Sequence, residues 1–245
     1  MHRKTDTLLV IVALVALWQV LHWIVGSVAL TSPADTLARA VELLSSATFW
    51  PHVAETGVAL LYSLLLAVFG GLTIGIALGI NRLAGEVAEP ILVSLYSLPK
   101  ITLYPVILLA FGLGLSAKVA FGTIHGIIPV IIFTMNAVRT IPPVMLRSAR
   151  VMRLSPPQLV STIILPAALP ELVSGLRVGF SLTLLGVLIG EMFASQRGLG
   201  YLVMNAIGGH DVRTMMAVVL ILATTAVLIS AGLLHIDRRM HRRAS

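Results

Sequence analysis

Six long apolar stretches, separated by short polar connections, constrain the fold of this chain more than any other feature. Each has about the length, roughly 20 residues, that a helix needs to cross a bilayer core. Helices satisfy their own backbone hydrogen bonds in lipid, so we expect an all-α polytopic membrane protein with about six transmembrane helices. The predicted spans are approximately residues 8–30, 55–80, 91–112, 117–139, 168–194 and 213–235.

The composition excludes a soluble globular protein. Apolar residues make up 58% of the 245 residues and charged residues only 11%, whereas about a quarter of the residues in soluble domains are charged. No polar stretch is long enough for a second domain, so we expect residues 1–245 to form a single transmembrane domain. The first apolar run is longer than the core of a signal peptide and is interpreted as a retained helix, with cleavage near residues 26–29 as the alternative. Cysteine is absent, which excludes disulfides and thiolate metal sites.

Positive charge is distributed unevenly between the connections, and this predicts the orientation. If the amino terminus is cytoplasmic, most of the 17 Lys and Arg residues lie in inner segments, as the positive-inside rule requires. The even number of spans then places the basic tail, residues 237–243, inside as well. Membrane topology therefore explains the net charge of +7, and the lipid bilayer, not nucleic acid, is the expected surrounding.

Two connections have structure of their own. Residues 33–47 follow a proline and carry apolar side chains at helical spacing between charged ones, which predicts a short amphipathic helix on the outer surface. Residues 140–167 form the longest cytoplasmic connection, which is basic and contains the pairs Pro142-Pro143 and Pro156-Pro157. Proline is favoured at the first position of a helix, so two short helices joined by a turn are expected there.

Small residues recur every four positions in the second span, at Ala67, Gly71, Gly75 and Gly79. This spacing lets two helix backbones approach closely in lipid. Packing within one chain is the favoured interpretation, and a contact between subunits is the alternative.

The connection 140–167 also carries a recognisable motif. Its spacing resembles the EAA loop of ABC importer permeases, which reads Glu-Ala-Ala, three residues, Gly, nine residues, Ile, one residue, Leu-Pro. The positions that keep the pattern are Ala149, Ile163, Leu165 and Pro166. The positions that depart from it are Arg147 in place of Glu, Ser148 in place of the first Ala, and Arg153 in place of Gly.

The resemblance extends over roughly residues 33–240. Segments 98–105, 111–114, 174–177, 190–192 and 198–202 look like the corresponding segments of the nitrate, sulfonate and taurine type of permease. It implies a type I ABC importer permease fold in a bacterial inner membrane, with both termini cytoplasmic. The implied partners are a second permease copy in a homodimer, cytoplasmic ABC ATPase subunits and an extracytoplasmic solute-binding protein. The implied substrate is a small organic or inorganic anion.

The same resemblance implies that the loop docks into a groove on the ATPase. The residues expected to couple the two are Arg147, Ser148, Ala149, Arg150, Arg153, Leu154, Ile163, Leu165 and Pro166. The chain has no Gly-x-x-x-x-Gly-Lys-Ser/Thr phosphate-binding loop. ATP hydrolysis is therefore expected on a partner chain, and no cofactor or metal is expected on this one.

Polar residues within spans are costly in lipid and are candidates for a pathway or gate. They are Lys100, Tyr104, His125, Asn136, Arg177 and Glu191. Lys100 can attract an anion, or it can hydrogen-bond carbonyls freed by nearby prolines. For His125 a packed, hydrogen-bonded role is favoured. Arg177 can reach the cytoplasmic interface, and Glu191 can close an outer gate or cap local backbone.

Two other functions compete with an ATP-driven permease. A membrane-embedded enzyme is disfavoured because the chain has neither Gly-x-Ser-x-Gly nor His-Glu-x-x-His, and no catalytic residues are assigned. An ATP-independent channel or secondary transporter would not need a loop with the spacing found at 140–167. Purification with or without a companion ATPase distinguishes these possibilities.

Overall fold

The chain is helical over nearly all of residues 2–244, which the computed structural model describes. The helices are α1 (His2–Val25), α2 (Pro33–Ser45), α3 (Trp50–Ile80), α4 (Arg82–Ser97), α5 (Tyr104–Phe111), α6 (Leu115–Arg139), α7 (Pro143–Val151), α8 (Pro156–Leu159), α9 (Leu165–Ala194), α10 (Leu199–Gly208) and α11 (Val212–Ala244). The side chains of residues 1–4, 194, 236 and 239–245 lie outside what is described, including the basic Arg3, Lys4, Arg239, Arg242 and Arg243.

Within the described residues, five helical segments are long and apolar enough to cross a membrane, and a bent pair makes six if its two halves form one span. The five are Thr5–Val25, Trp50–Ile80, Leu115–Arg139, Pro156–Phe193 and Val212–His235. The pair is Arg82–Ser97 followed by Lys100–Phe111, with an 86° bend between its halves. The all-α membrane fold predicted from the sequence is confirmed, and the prediction of about six spans agrees with the five or six candidate spans of the structure.

The third predicted span, residues 91–112, is not the continuous helix that was expected from the sequence. Helix α4 ends at Ser97, because the residue before Pro99 is held in an extended conformation, with Leu98 at φ −64° and ψ 139°. A 3₁₀ turn, Lys100–Leu103, then leads into α5, which carries Pro105 in its first turn. The two prolines thus divide the crossing in two.

The first span also ends earlier than predicted, at Val25 and not near residue 30. Gly26 ends α1 in the left-handed region, at φ +86°, which glycine adopts without steric cost. The chain then turns back on the helix: Trp18 Nε1 donates to the carbonyl of Thr31 at 3.0 Å, and His22 Nδ1 donates to that of Leu30 at 2.6 Å. The amphipathic helix predicted over residues 33–47 is α2, capped by the Ser32 hydroxyl.

Helix α6 is the centre of the molecule, with α3 on one side and α9 on the other. The small residues of α3 lie against it: a Cβ placed on Gly71, Gly75 or Gly79 would meet Val130, Thr134 or Val138 respectively. Ala67 in the same row is fully buried. The row therefore serves packing within one chain, the favoured interpretation of its spacing.

We expect Gly75→Ala to destabilise the protein by about 1–3 kcal/mol, the usual cost of overpacking. The new Cβ would lie 2.5 Å from Thr134 Cβ and 2.9 Å from the Ile131 carbonyl oxygen, so α3 and α6 must separate. Thermal unfolding of the purified protein in detergent measures the effect. Gly57→Ala on the same helix is the matched control, because nothing lies within 4 Å of its added Cβ. Equal melting temperatures for the two variants would contradict the close approach.

Candidate functional site

The connection between α6 and α9, residues 140–167, is called the elbow here. It contains two short helices that begin at Pro143 and Pro156, as the proline pairs predicted. A capping box starts α8, in which the side-chain oxygen of Gln158 accepts from the Ser155 amide at 2.9 Å. A π-helical turn, Val160–Ile164, then carries α8 into α9 without a break. The second half of the elbow is therefore a rigid extension of the fifth span.

The turn between α7 and α8 depends on Arg153, which has a φ of +51°. Two hydrogen bonds close the turn: the Leu154 amide donates to the Ala149 carbonyl and the Arg153 amide donates to the Arg150 carbonyl, both at 3.1 Å. This is a Schellman motif, whose left-handed position is usually glycine. The glycine of the loop pattern falls on this same position. The left-handed φ of the turn explains why glycine is usual there, and Arg153 adopts the same φ at a steric cost.

The inward side of the elbow is fixed to the membrane helices by apolar contacts. Ala149 is buried, Leu154 is half-buried, and Ile164 is 1% exposed. Ile164 forms a cluster with Val138 of α6 and with Ile141, and Leu146, Leu159 and Ile76 of α3 pack against it. A displacement of α7 must therefore move the ends of α3 and α6 with it.

The outward side of α7 exposes a row of large apolar side chains: Val144 (68%), Met145 (45%), Val151 (84%) and Met152 (68%). Arg147, Ser148 and Arg150 are exposed beside them. The sequence reasoning missed the apolar row and selected the inward Ala149 and Leu154. The recurrence of apolar residues at positions 144, 145, 151 and 152 in an otherwise basic loop was the signal that could have revealed it.

The remaining predicted coupling residues mark the start of α9. Ile163 is half-buried, whereas Leu165 and Pro166 are exposed. They continue the helical stem of the elbow and are not on α7.

Lys100 lies at the break in the third crossing, with 9% of its surface exposed. Its ammonium donates to the Tyr96 carbonyl at 2.9 Å, one of the carbonyls left free by the end of α4. It also lies 5.4 Å from the centre of the Tyr96 ring. Among the described side chains, no carboxylate forms an ion pair with it.

Tyr104 and His125 are packed inside the bundle. The Tyr104 hydroxyl donates to the Gly190 carbonyl at 2.6 Å and so ties α5 to α9. His125 Nδ1 donates to the Phe121 carbonyl at 2.9 Å, and its ring lies 4.5 Å from that of Phe121. His125 is thus a hydrogen-bonded core side chain.

Asn136 and Arg177 differ from Tyr104 and His125, because each is at least partly exposed at the surface of the single chain. Asn136 is exposed, although it lies eleven residues after the buried His125 on the same helix. Arg177 is half-buried in α9. The structure does not bring either one to the other candidate residues.

Glu191 is fully buried at the end of the bundle opposite to the elbow, here called the far end. Its carboxyl group accepts from the Thr56 hydroxyl at 2.9 Å and from the Gly200 amide at 2.9 Å. Thr56 in turn accepts from the Leu199 amide at 2.8 Å. Gly198, at φ +122°, passes so close that any Cβ there would collide with the carboxyl group. Glu191 therefore ties α3 and α9 to the start of α10.

An ion pair between a buried lysine and a half-buried glutamate flanks this cluster. Lys118, only 1% exposed, donates to Glu55 at 2.9 Å and to the Arg197 carbonyl at 3.0 Å. None of Lys118, Glu55 and Thr56 was among the residues predicted from the sequence. Glu55 and Lys118 line an open cavity of about 760 Å³ at the far end, together with Arg197 and Asn205. Thr56 does not line it but is hydrogen-bonded to Glu191. Nothing in local spacing could reveal the cluster, because its members are up to 143 residues apart.

The sequence also matches known proteins. The family described as "Binding-protein-dependent transport system inner membrane component" matches residues 71–242. A Haemophilus influenzae protein named "Probable ABC transporter permease protein" is 29% identical, over 98% of this chain and 97% of its own length. The taurine transport system permease protein TauC of Escherichia coli is 29% identical over 79% of this chain and 70% of its own length. The riboflavin transport system permease protein RibX of Chloroflexus aurantiacus is 32% identical over 84% of this chain and 77% of its own length.

The fold has a counterpart among solved structures. A chain from inward-facing conformations of the MetNI methionine ABC transporter superposes with a TM-score of 0.64. The match covers 80% of this chain and 99% of that chain, at 23% sequence identity. It confirms the expected type I ABC importer permease fold.

We expect Arg153→Gly to stabilise the elbow by about 1 kcal/mol, because glycine removes the Cβ that a left-handed φ crowds. Hydrogen exchange of the Leu154 and Arg153 amides, with the melting temperature, measures the gain. Met152→Gly is the matched control, since Met152 has a helical φ of −73° and glycine there only adds flexibility. Faster exchange in Arg153→Gly would contradict the strained turn.

Proposed function

Because this chain belongs to the family of binding-protein-dependent transport system inner membrane components, we propose that its elbow transmits the movement of an ATPase to the membrane helices. The chain is the membrane-spanning permease subunit of an ABC importer, a transport subunit and not an enzyme. Membership of this family implies two kinds of partner, an ABC ATPase and a solute-binding protein. ATP hydrolysis is assigned to the separate ATPase chain.

The observation that carries the coupling proposal is the exposed apolar row on α7. Val144, Val151 and Met152 are more than half exposed at a helix whose other side contacts the π-helical turn Val160–Ile164. An apolar row of this kind gains free energy when a protein partner removes it from water. The neighbouring Arg147 and Arg150 add positive charge at the edge of the same surface. A groove on the ATPase is the proposed partner of this surface.

The inward contacts make the elbow suitable as a mechanical link. ATP binding can shift the permease only by the difference in its affinity for two conformations. If the ATPase holds α7 differently in each, the cluster around Ile164 passes that difference to Val138 and Ile76. The continuous helix from Pro156 to Phe193 extends it across the membrane.

The double substitution Val151→Ser with Met152→Ser tests this coupling. Burial of one such side chain contributes about 1.5–3 kcal/mol, so ATPase association should weaken by roughly tenfold or more. Substrate-stimulated ATP hydrolysis and uptake should fall together in proteoliposomes that contain the complete complex.

The matched control for that experiment is Thr162→Ala, an exposed position on the stem of the elbow and not on α7. It should leave ATPase association unchanged. Transport at the original rate by the double variant would overturn the coupling role. Solute flux through the permease purified without any ATPase would favour the competing ATP-independent channel.

The proposed substrate is a small organic or inorganic anion. The supporting observation is Lys100, a buried side chain at the break of the third crossing whose ammonium forms no ion pair with any carboxylate that the structure describes. A cation of this kind within the membrane thickness attracts anions more strongly than it would in water. A relative named for taurine, which carries a sulfonate, agrees with an anion. A relative named for riboflavin makes a larger, uncharged solute the alternative.

Replacement of Lys100 separates these substrate classes. In Lys100→Gln, uptake of taurine or a small alkanesulfonate should fall about tenfold, the equivalent of about 1.4 kcal/mol. Lys100→Arg, which keeps the positive charge, should retain most of it. Uptake is measured with the reconstituted complex and its cognate binding protein. If Lys100 only caps the Tyr96 carbonyl, the variant will melt at a lower temperature and lose uptake of charged and uncharged solutes alike.

A second copy of the chain completes the proposed transporter as a homodimer. The exposed Asn136 and the half-buried Arg177 support this arrangement, because polar groups that face lipid are costly and a water-filled pathway between two copies would solvate them. The proposed orientation has the elbow and both termini in the cytoplasm, as the distribution of Lys and Arg favours. The Glu191 cluster then lies at the outer end, where it is positioned to act as a gate.

A further inference from the structure

A notch of about 700 Å³ lies between α4 and the elbow, at the end of the bundle where α3, α4 and α6 meet. Its rim carries three arginines, Arg82, Arg139 and Arg150, and two glutamates, Glu86 and Glu89. The coupling role proposed above involves Arg150, Val138 and Ile164, which also line this notch, but it assigns no ligand to the space between them. The question is which ligand suits this combination of position and charge.

Two of the three arginines already have carboxylate partners. Arg82 pairs with Glu86 at 2.8 Å and Arg139 pairs with Glu89 at 2.7 Å. Arg150 is exposed on α7 and forms no ion pair with any described side chain. The rim therefore has one positive charge in excess, and it is placed on the elbow side of the notch.

Arg139 has unused hydrogen-bonding capacity as well. Only its Nη1 has a partner, whereas Nε and Nη2 are buried without an acceptor. The guanidinium can lie flat against α4 because Gly85 has no side chain, and a Cβ there would meet Nη2. Buried donors without acceptors are unfavourable, so an anion that offers several acceptor oxygens would stabilise this group after a small rotation.

The floor of the notch is apolar, unlike its rim. Val138 and Ile164 are buried in it, and Leu146, Leu154 and Leu159 form its half-buried walls. Ile80, which also lines the notch, and the nearby Leu83 are 55% and 73% exposed, at the end of α3 and the start of α4. A charged rim at the level of the headgroups above an apolar floor matches a molecule with an anionic head and hydrocarbon chains.

We propose that the notch binds the phosphate headgroup of an anionic phospholipid, with Arg139 and Arg150 on the phosphate and an acyl chain along the apolar floor. The lipid then bridges α4 and α7, and so supports the elbow from the bilayer side. Arg147, three residues before Arg150 on α7, does not line the notch.

Native mass spectrometry of the complete complex with its ATPase tests this site. Phosphatidylglycerol and phosphatidylcholine with identical acyl chains are supplied in equal amounts, and the retained molecules of each are counted. The original protein should retain phosphatidylglycerol preferentially.

Arg150→Ala should lower that retention about fivefold, the factor for one basic residue at a membrane surface. Arg147→Ala, the matched control, should leave it unchanged. Arg139→Gln should lower retention at least as much as Arg150→Ala, and Arg150→Ala keeps the test valid if Arg139→Gln does not fold.

Three results would overturn the proposal. Equal retention of the two lipids would show that the notch does not select a negative headgroup. Equal losses in Arg147→Ala and Arg150→Ala would indicate general surface charge and not this notch. Displacement of the lipid by inorganic phosphate at constant detergent would assign the arginines to the free ion. If the ATPase fills the notch, the complex will likewise retain the two lipids equally, and the proposal is overturned in the same way.

Discussion

The close approach of α3 and α9 to the central helix α6 is the interaction on which the rest of the structure depends. Lipid provides no hydrophobic force between helices, so association relies on backbone proximity and on polar contacts. Gly71, Gly75 and Gly79 let α3 lie directly on Val130, Thr134 and Val138. Helix α9 meets α6 in the same way, with Gly126 against Thr183 and Gly186 against His125. This core fixes the two ends of the bundle at which function is assigned.

The two ends are built differently because they meet different demands. At the elbow, apolar contacts around Ile164 join short helices to long ones, and the polar groups lie at the rim. At the far end, a buried carboxyl group organises the structure through hydrogen bonds to Thr56 and Gly200. Apolar contacts tolerate small sliding movements, whereas directional hydrogen bonds are either made or broken. A permease that responds to an ATPase at one end and opens at the other has use for both kinds of contact.

Arg153 shows how a departure from a family pattern can be read physically. The pattern has glycine at this position, and the structure shows why, since the residue sits at φ +51° in a Schellman turn. The hydrogen bonds of that turn hold arginine in a conformation it disfavours. The replacement of glycine by Arg153 therefore raises the free energy of the turn but does not change its geometry. Arg147 and Ser148, the other departures, lie on the exposed side of α7, where no packing contact restricts them.

Sequence alone determined the all-helical membrane architecture, the amphipathic α2, the two proline-started helices of the elbow and the small-residue face of α3. Each of these follows from local rules of length, periodicity or proline geometry. Only the tertiary structure decided that the third crossing bends by 86°, that the apolar row of α7 points outward, and that the buried Glu191 and Lys118 meet Thr56 and the half-buried Glu55. The first two have local signals, in Pro99 and Pro105 and in the spacing of apolar residues on α7, but the angle of the bend and the exposed side of α7 depend on packing. The Glu191 cluster joins segments more than 60 residues apart, and such contacts leave no spacing signal in a single chain.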